Sequence, residues 1–273
     1  MFRHELDTVI SWAAAEGWNP GVNDAECFYE TDPNGFFMAL DENNNPLGAV
    51  SAVAYDGDFG FIGLYIVRPE YRGHSVGPLL WEKAVEYLCP RNIGLDGVEK
   101  KMKNYKARGF NLAYHNIRYE GIKKFLAEIK SGVSEYNGNF AALAQFDRNF
   151  FPAEREKFLD KWINAADART LCFYKGNEIK AYGVIRKCLD GFKIGPLFSE
   201  EYDYAEAVLL ALLSDIPENS KFYLDIPEPN ENAVKLVSKY NMKPIFGTAR
   251  MYNKKFPELS IAKIYGITSF ELG

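Results

Sequence analysis

The stretch Leu64-Tyr-Ile-Val-Arg-Pro-Glu-Tyr-Arg72-Gly73-His74-Ser75-Val76-Gly77-Pro78-Leu79-Leu80 carries an apolar, β-branched run through a proline and an Arg-Gly loop directly into an apolar helical pattern. At a helix start the first backbone N–H groups lack intrahelical partners and the dipole end is positive, so this layout sets an anion such as phosphate against bare amides. Arg72 adds a cation able to bind it in bidentate fashion. Gly73 and Gly77 would equally serve a plain tight connection between strand and helix, so the rest of the chain has to decide between the two readings.

The chain has 273 residues, 47% of them hydrophobic and 25% charged, which suits one large soluble domain or two of average size. A net charge of -5 leaves no basic footprint, so nucleic acid is not expected as a partner. Met1-Phe-Arg-His-Glu-Leu-Asp has no apolar signal region, and nowhere do about 18 apolar residues run together. Neither secretion nor a membrane is expected, and the cytoplasm is the default location. Cys27, Cys89, Cys172 and Cys188 have no CxxC spacing and read as reduced thiols. With His4, His74 and His115 they form no metal-ligand pattern, and no metal is expected.

Leu6, Val9, Ile10 and Ala13 recur at helical spacing until Gly17 and Pro20, so the chain opens with an amphipathic helix that no strand precedes. Phe36 to Leu40, Leu47 to Tyr55 and Phe59 to Val67, separated by turns at 41–46 and 56–58, read as an antiparallel meander. The helix after Gly77 uses Leu80, Ala84 and Leu88 and stops before Pro90. Asn92 to Leu95 then reads as a short strand, Lys100 to Arg108 as a helix capped by Gly109, and Phe110 to Tyr119 as the last strand or two. The polar stretch Ile129 to Gly138 suits a linker. A helix over Glu154 to Asp167 and strands Thr170 to Tyr174, Glu178 to Arg186 and Phe192 to Phe198 follow it, repeating the first meander.

A constant of 132 carries Ile62-Gly63 onto Ile194-Gly195 and Gly109-Phe110 onto Asn241-Met242, so an ungapped internal repeat is the simplest account. In that register Tyr204 to Leu213 supplies a helix where Arg72 to Leu88 stood, and Ala233, Leu236, Val237 and Tyr240 form another. The expected domains are 1–130 and 138–273.

The order strand, Pro, Tyr-Arg-Gly-x-x-x-Gly, helix resembles the coenzyme A pyrophosphate loop of the GNAT superfamily of N-acetyltransferases. Arg-Gly-x-Gly-x-Gly is usual there, and Ser75 replaces the middle glycine. Downstream, Leu95-Asp-Gly-Val-Glu-Lys-Lys-Met-Lys-Asn-Tyr105-Lys-Ala-Arg-Gly109-Phe110 looks like the second GNAT signature, a helix carrying Tyr and ending in Gly-Phe. The resemblance implies an α/β fold of two GNAT-like domains, each a mixed, mostly antiparallel twisted sheet flanked by helices and splayed between its fourth and fifth strands. It implies acetyl-CoA in that gap, with backbone groups of Ile66 and Val67 on the pantetheine and Arg72, Gly73, His74, Ser75, Val76, Gly77 and Pro78 on the pyrophosphate. Direct attack by a primary amine, without an acyl-enzyme, is implied as well, with Tyr105 as the acid for the departing thiolate. A phenol of ordinary pKa near 10 suits that task.

Besides Ser75, two further departures from the family pattern stand out. The family's first strand is missing before Leu6, which a natural start upstream of Met1 would explain, and Val98 stands where the family often has an asparagine on the pantetheine. Asp96, at the end of a short strand, is a candidate to accept the amine proton, since an alkyl ammonium has no lone pair at neutral pH; it is equally a candidate helix N-cap. His74 reads as exposed beside the phosphates, His115 as a half-buried strand residue or part of the acceptor pocket, and Glu70 as solvent-facing. Trp18 and Asp24 lie in the loop that often walls the acceptor site in this family.

The second copy tests the repeat by what it lacks. Arg72 to Gly77 map onto Tyr204-Ala-Glu-Ala-Val-Leu209, without glycine or arginine, and Tyr105 maps onto Val237. Asn230 falls on the family's asparagine position but also reads as an N-cap. The second unit is therefore expected to be degenerate. The reading is an acetyl-CoA-dependent N-acetyltransferase with a small-molecule or peptide amine as acceptor. A non-catalytic acyl-CoA-binding or partner-docking module is the alternative, and an aminoacyl-transferring tandem protein of the cell-wall type fits the pyrophosphate loop less well. Neither the acceptor nor the oligomeric state is legible, and a homodimer is among the arrangements considered.

Overall fold

The structure, a computed structural model, describes residues 1–124 and 131–273. The first half runs α1 (Arg3–Ala15), α2 (Asp24–Thr31), β1 (Phe36–Leu40), β2 (Pro46–Ala54), β3 (Phe59–Val67), α3 (Val76–Leu88), β4 (Asn92–Val98), α4 (Met102–Lys106) and β5 (Asn111–Ile122). The second runs β6 (Val133–Glu135), α5 (Phe140–Asp147), α6 (Glu156–Ile163), β7 (Ala168–Lys175), β8 (Glu178–Lys187), β9 (Phe192–Ser199), α7 (Tyr202–Ser214), β10 (Lys221–Pro227), α8 (Glu231–Lys239), β11 (Lys243–Tyr252) and β12 (Ile264–Gly266). Among the described residues no helix is long and apolar enough to cross a membrane.

Local chemistry accounts for most of these elements. Helix α6 turns Phe158, Leu159, Trp162 and Ile163 inward. Asn139 caps α5 by accepting from the Ala142 N–H, and Leu143 and Phe146 bury its inner face. This helix and α2 are absent from the sequence reading because each is only eight residues long and has a weaker one-sided apolar pattern than α6. The proposed linker also needs correcting. Ile129 and Lys130 lie outside the described residues, whereas Val133–Glu135 form β6, which pairs with β7 with Val133 opposite Phe173.

Among the described residues the strands join into one twelve-stranded sheet in the order β1-β2-β3-β4-β11-β5-β10-β9-β8-β7-β6, with β12 on β9. The two halves therefore do more than pack side by side: each lends its last long strand to the other. Strand β11 lies against β4, with Arg250 opposite Asp96, and β5 lies against β10, with Arg118 opposite Asp225. Between them β5 and β11 pair antiparallel with Asn116 opposite Thr248. These two are repeat partners at the offset of 132, so an approximate twofold axis passes through that pair.

The repeat is real but gapped. The offset is 132 at β3 and β9 (62 to 194) and at β5 and β11 (116 to 248), but 129 at β4 and β10 (96 to 225) and 126 at α3 and α7 (76 to 202). Arg72 to Gly77 thus correspond to Phe198 to Asp203 rather than to Tyr204 to Leu209. Eight residues, 68–75, link β3 to α3, but only two, 200 and 201, link β9 to α7.

On one face of the sheet, α3 buries Leu80, Trp81, Ala84 and Leu88 against Val50, Ile62 and Leu95 of the first half, and α7 buries Val208, Leu209 and Leu212 in the second. The other face carries a core common to both halves, in which Leu6, Val9, Phe28 and Phe61 meet Phe158, Trp162, Tyr182 and Phe198. The rings of Phe28 and Trp162 stack at 6.0 Å across the two halves.

Candidate active site

Strands β3 and β4 run parallel and in register from Phe59 opposite Asn92 to Ile62 opposite Leu95, and there the ladder ends. Leu64 has φ +44°, costly for a branched side chain, and the β2–β3 register shifts beside it, between Ala49 and Ser51. This kink carries the end of β3 away from β4 and opens the expected splay. Because the family's first strand is missing here, the splay lies between the third and fourth strands.

The open end of β3 leads into the loop singled out by the sequence. Gly73 sits at φ +86°, a conformation that glycine adopts without strain, and Ser75 is right-handed at φ -71°, ψ -5°. Its side chain therefore follows the path of an ordinary helix start. Among the described residues the N–H groups of Gly73, His74, Ser75, Val76 and Gly77 have no acceptor, and Leu79 is the first to return to the loop, bonding the Ser75 carbonyl at 3.1 Å. Pro78 has no N–H to contribute. Gly77 keeps α3 against the sheet, since a Cβ there would stand 2.8 Å from the Tyr65 hydroxyl. His74, Ser75 and Pro78 are exposed. Arg72 does not point freely at the loop: its Nε donates to the Val67 carbonyl at 2.8 Å, and its Nη2 pairs with Glu16 at the end of α1.

Ile66 and Val67 differ in what they offer. Arg68 N–H bonds the Leu47 carbonyl, so by the alternation of an antiparallel ladder Ile66 bonds back to β2, while Val67 turns its N–H and C=O away from β2, the C=O already accepting from Arg72 Nε. Of the two backbone positions expected to meet a ligand, Val67 has its polar groups off the β2 ladder and Ile66 does not.

Tyr105 reaches the splay from the β4 side. Its ring lies where a side chain at Gly97 would be and packs on Trp81 at 5.6 Å. Tyr65, on β3 across the gap, faces Arg108, whose guanidinium stacks on Trp81 at 4.9 Å. Burial, with Tyr65 nearby, pushes the Tyr105 phenol up to about 12, and Arg108 pulls it back only in part. Tyr65, Trp81 and Arg108 were not legible in the sequence, because nothing in their spacing ties them to Tyr105.

Asp96 behaves otherwise than the sequence reading expected. It neither caps a helix nor faces an open cleft. Arg250 of β11 holds both its oxygens, Nε to Oδ1 at 2.8 Å and Nη2 to Oδ2 at 2.6 Å, and Asn116 donates to Oδ1 at 2.9 Å. Its side chain is fully buried. A carboxylate committed in this way is not placed to take a proton from an incoming amine. Its mirror image is Asp225, held by Arg118 at 2.7 Å on both oxygens. A signal for the pair was present in the sequence, since Arg118 and Arg250 are 132 apart. Asp24 is likewise buried, on Arg186 at 2.8 Å, and ties α2 to β8. Glu70 is an exposed partner of Arg68. His115 is half-buried on β5, its Nδ1 3.2 Å from Glu99.

The second half has the same splay and no room in it. Strands β9 and β10 pair in parallel from Phe192 opposite Phe222 to Ile194 opposite Leu224, the same register as in the first half. Past that point β12 enters the gap. It pairs with β9, with Ile264 opposite Phe198, and Ile267 N–H bonds the Asp225 carbonyl at 2.8 Å. Asn230 caps α8 and donates to the Ile264 carbonyl at 2.8 Å. The residue at the family's asparagine position thus binds the chain itself, where the family binds pantetheine. Beyond β12 the chain passes to the first half, and the Glu271 carbonyl occupies the space where a side chain at Gly63 would be. Gly195 admits the carbonyls of Ile267 and Thr268 in the same way. The repeated Ile-Gly landmark therefore marks the two points at which this segment crosses the sheet.

Comparison with known proteins agrees with both halves. A family model described as the acetyltransferase (GNAT) family matches residues 4–110, and one described as an acetyltransferase (GNAT) domain matches residues 143–266. Holothin acyltransferase from Pseudoalteromonas sp. (strain SANK 73390) is 30% identical over 270 residues, covering 98% of this chain and 92% of that protein. Among solved structures, a putative acetyltransferase from Pyrococcus horikoshii superposes with a TM-score of 0.86 at 23% identity, covering 100% of this chain and 94% of that one. A tandem GNAT protein from the clavulanic acid biosynthesis pathway gives 0.65 at 13% identity, over 94% of this chain and 98% of that one. The two structures speak for the fold alone; with both halves matched and a relative of that identity along nearly the whole length, this chain belongs to the GNAT acetyltransferase family as a tandem, two-unit acyltransferase.

Proposed function

We propose that the first half, through about residue 130, transfers an acetyl group from acetyl-CoA to a primary amine, and that the second half, from about residue 138, is its scaffold. The observation that carries this is the run of five unpartnered N–H groups at Gly73 to Gly77, beside the one splay among the described residues that the chain does not fill. A pyrophosphate fits such a run: it needs several donors converging from backbone, and α3 adds its positive end. Val67 would meet the pantetheine through backbone groups. When bound there, acetyl-CoA supplies a thioester open to attack by an amine.

The chain's own residues then manage protons. Tyr105 stays protonated at any working pH, because its phenol is held near 12. Complete transfer of that proton to a thiolate of ordinary pKa near 8.5 is uphill by about 5 kcal/mol at 1.36 kcal/mol per unit. Tyr105 therefore acts as a hydrogen-bond donor to developing negative charge on sulfur, and only a more basic thiolate would take the proton outright. Direct attack is favoured by where the cysteines lie. Cys27, Cys172 and Cys188 are buried, and Cys89 is at the far end of α3 from the loop.

Calorimetry with acetyl-CoA and a thiol-release assay over polyamines, amino acids, peptides and holothin test the reading. Micromolar binding with amine-dependent thiol release is expected. Tight binding with no release from any amine would remove the catalytic role, and no binding would remove the site.

A further inference from the structure

With Asp96 committed to Arg250, the proton acceptor that the sequence proposed for the first-half cleft is lost. The buried carboxylates of the described structure are otherwise spoken for: Asp24 by Arg186, Asp147 by Arg155, Asp225 by Arg118, and Glu206 by Lys239. Glu271 differs. It is 5% exposed, yet among the described residues no hydrogen bond or ion pair reaches its carboxylate.

Its position is fixed on both sides. The Ile267 N–H is bonded to Asp225 and the Leu272 carbonyl accepts from the Tyr55 hydroxyl at 2.8 Å, so the segment between them is stretched over the sheet face shared by the two halves. Glu271 itself lies on Gly63, one residue before the kink at Leu64 where β3 parts from β4. The charged groups facing it are Lys193 of β9, Arg118 of β5, Arg186 of β8 and Asp24 of α2. Arg118 and Arg186 are neutralised by Asp225 and Asp24, and the Lys193 ammonium donates to the Asn19 carbonyl at 2.9 Å. Trp18 and Asn19, in the loop after α1, accept from Arg118 and Lys193 and so close over the same group of charges.

We propose that Glu271, brought from the second half, accepts the proton of the amine in the first-half cleft. The proposal rests on the acetyltransferase reading given above. An ammonium sheds two protons on becoming an amide: Glu271 takes one and passes it to water. The other ends on sulfur as the C–N bond forms and the C–S bond breaks. Burial raises the Glu271 carboxyl, partly offset by Lys193, which brings it nearer to the strength a general base needs at neutral pH. A tandem architecture then has a catalytic reason, since the half without a cofactor cleft supplies the base for the half that has one.

The test compares wild type with Glu271→Gln and Glu271→Asp, measuring acetyl-CoA binding by calorimetry and kcat/KM for the best amine across pH 5 to 9.5. Glu271→Gln is expected to lower kcat/KM by about 100-fold or more with acetyl-CoA affinity unchanged. Its residual rate should climb with pH as free amine accumulates, and Glu271→Asp should recover part of the loss. Stability gives a readout apart from activity. A carboxyl raised in the folded state is destabilising once ionised, so wild-type stability falls as pH rises from the ordinary glutamate value through the folded one, and Glu271→Gln removes that fall. A Gln variant with wild-type rates and pH profile overturns the role of Glu271 and leaves the acetyltransferase reading intact. Wild type that binds acetyl-CoA but acetylates no amine overturns both.

Discussion

Two clefts built to one register have met opposite fates in this chain. In the first half β3 and β4 part after Ile62 and Leu95 and leave a gap floored by Tyr65 and Tyr105; in the second β9 and β10 part after Ile194 and Leu224, and β12 fills the space. The loops differ in step with the clefts. Eight residues including Gly73 precede α3, with Gly77 in its first turn, and two residues without glycine precede α7. A repeated fold thus conserves the splay for its packing, while a ligand site needs in addition a loop long enough to turn its amides outward and an edge that the chain leaves unpaired.

The largest effect should come from what the two halves share. Asp96→Ala and Asp225→Ala each strand a buried arginine and should cost about 3–5 kcal/mol in denaturant unfolding. Equal losses would show that the strand exchange holds both halves alike, and a loss under about 1 kcal/mol in either would break that symmetry. The next effect separates the halves. Tyr105→Phe should lower kcat about 100-fold with acetyl-CoA affinity unchanged, whereas Val237→Ala, at the mirror position, should lower stability and leave kcat alone. Smaller again, Asn230→Ala removes both the α8 cap and the bond to Ile264, for about 1–2 kcal/mol of stability. Acetyl-CoA affinity should not follow; if it did, the filled cleft would be communicating with the open one. Smallest is Arg72→Ala. Its guanidinium is half-exposed and must leave Glu16 to meet a phosphate, so a loss of about 1 kcal/mol in acetyl-CoA affinity, shrinking in salt, is the expected calorimetric result.

Much of this was legible beforehand. The meander, the Arg-Gly loop, α3 and the position of Tyr105 follow from alternation, helical period and turn residues, all of which act within a few residues. Beyond that range the reading lost detail. The gaps in the repeat were invisible because the two landmarks happened to share the offset of 132, and the shorter offsets at α7 and β10 cancel between them. Asp96 read as a reactive carboxylate because its partner, Arg250, is 154 residues away. The segment 264–273 reads as an ordinary apolar stretch, and nothing local says that it crosses two clefts.

The amino-acid sequence by itself determined that there are two copies of one α/β unit and that only the first keeps the Arg-Gly loop, because glycines, proline and apolar spacing restrict the backbone where they stand. Only the tertiary structure decided which strand lies beside which, that β5 and β11 change places, and that β12 closes the second cleft. Pairing across a sheet depends on hydrogen bonds and buried ion pairs between residues far apart in the chain. The same long-range placement leaves the Glu271 carboxylate without a hydrogen bond or ion pair among the described residues and sets it beside the cleft that stayed open.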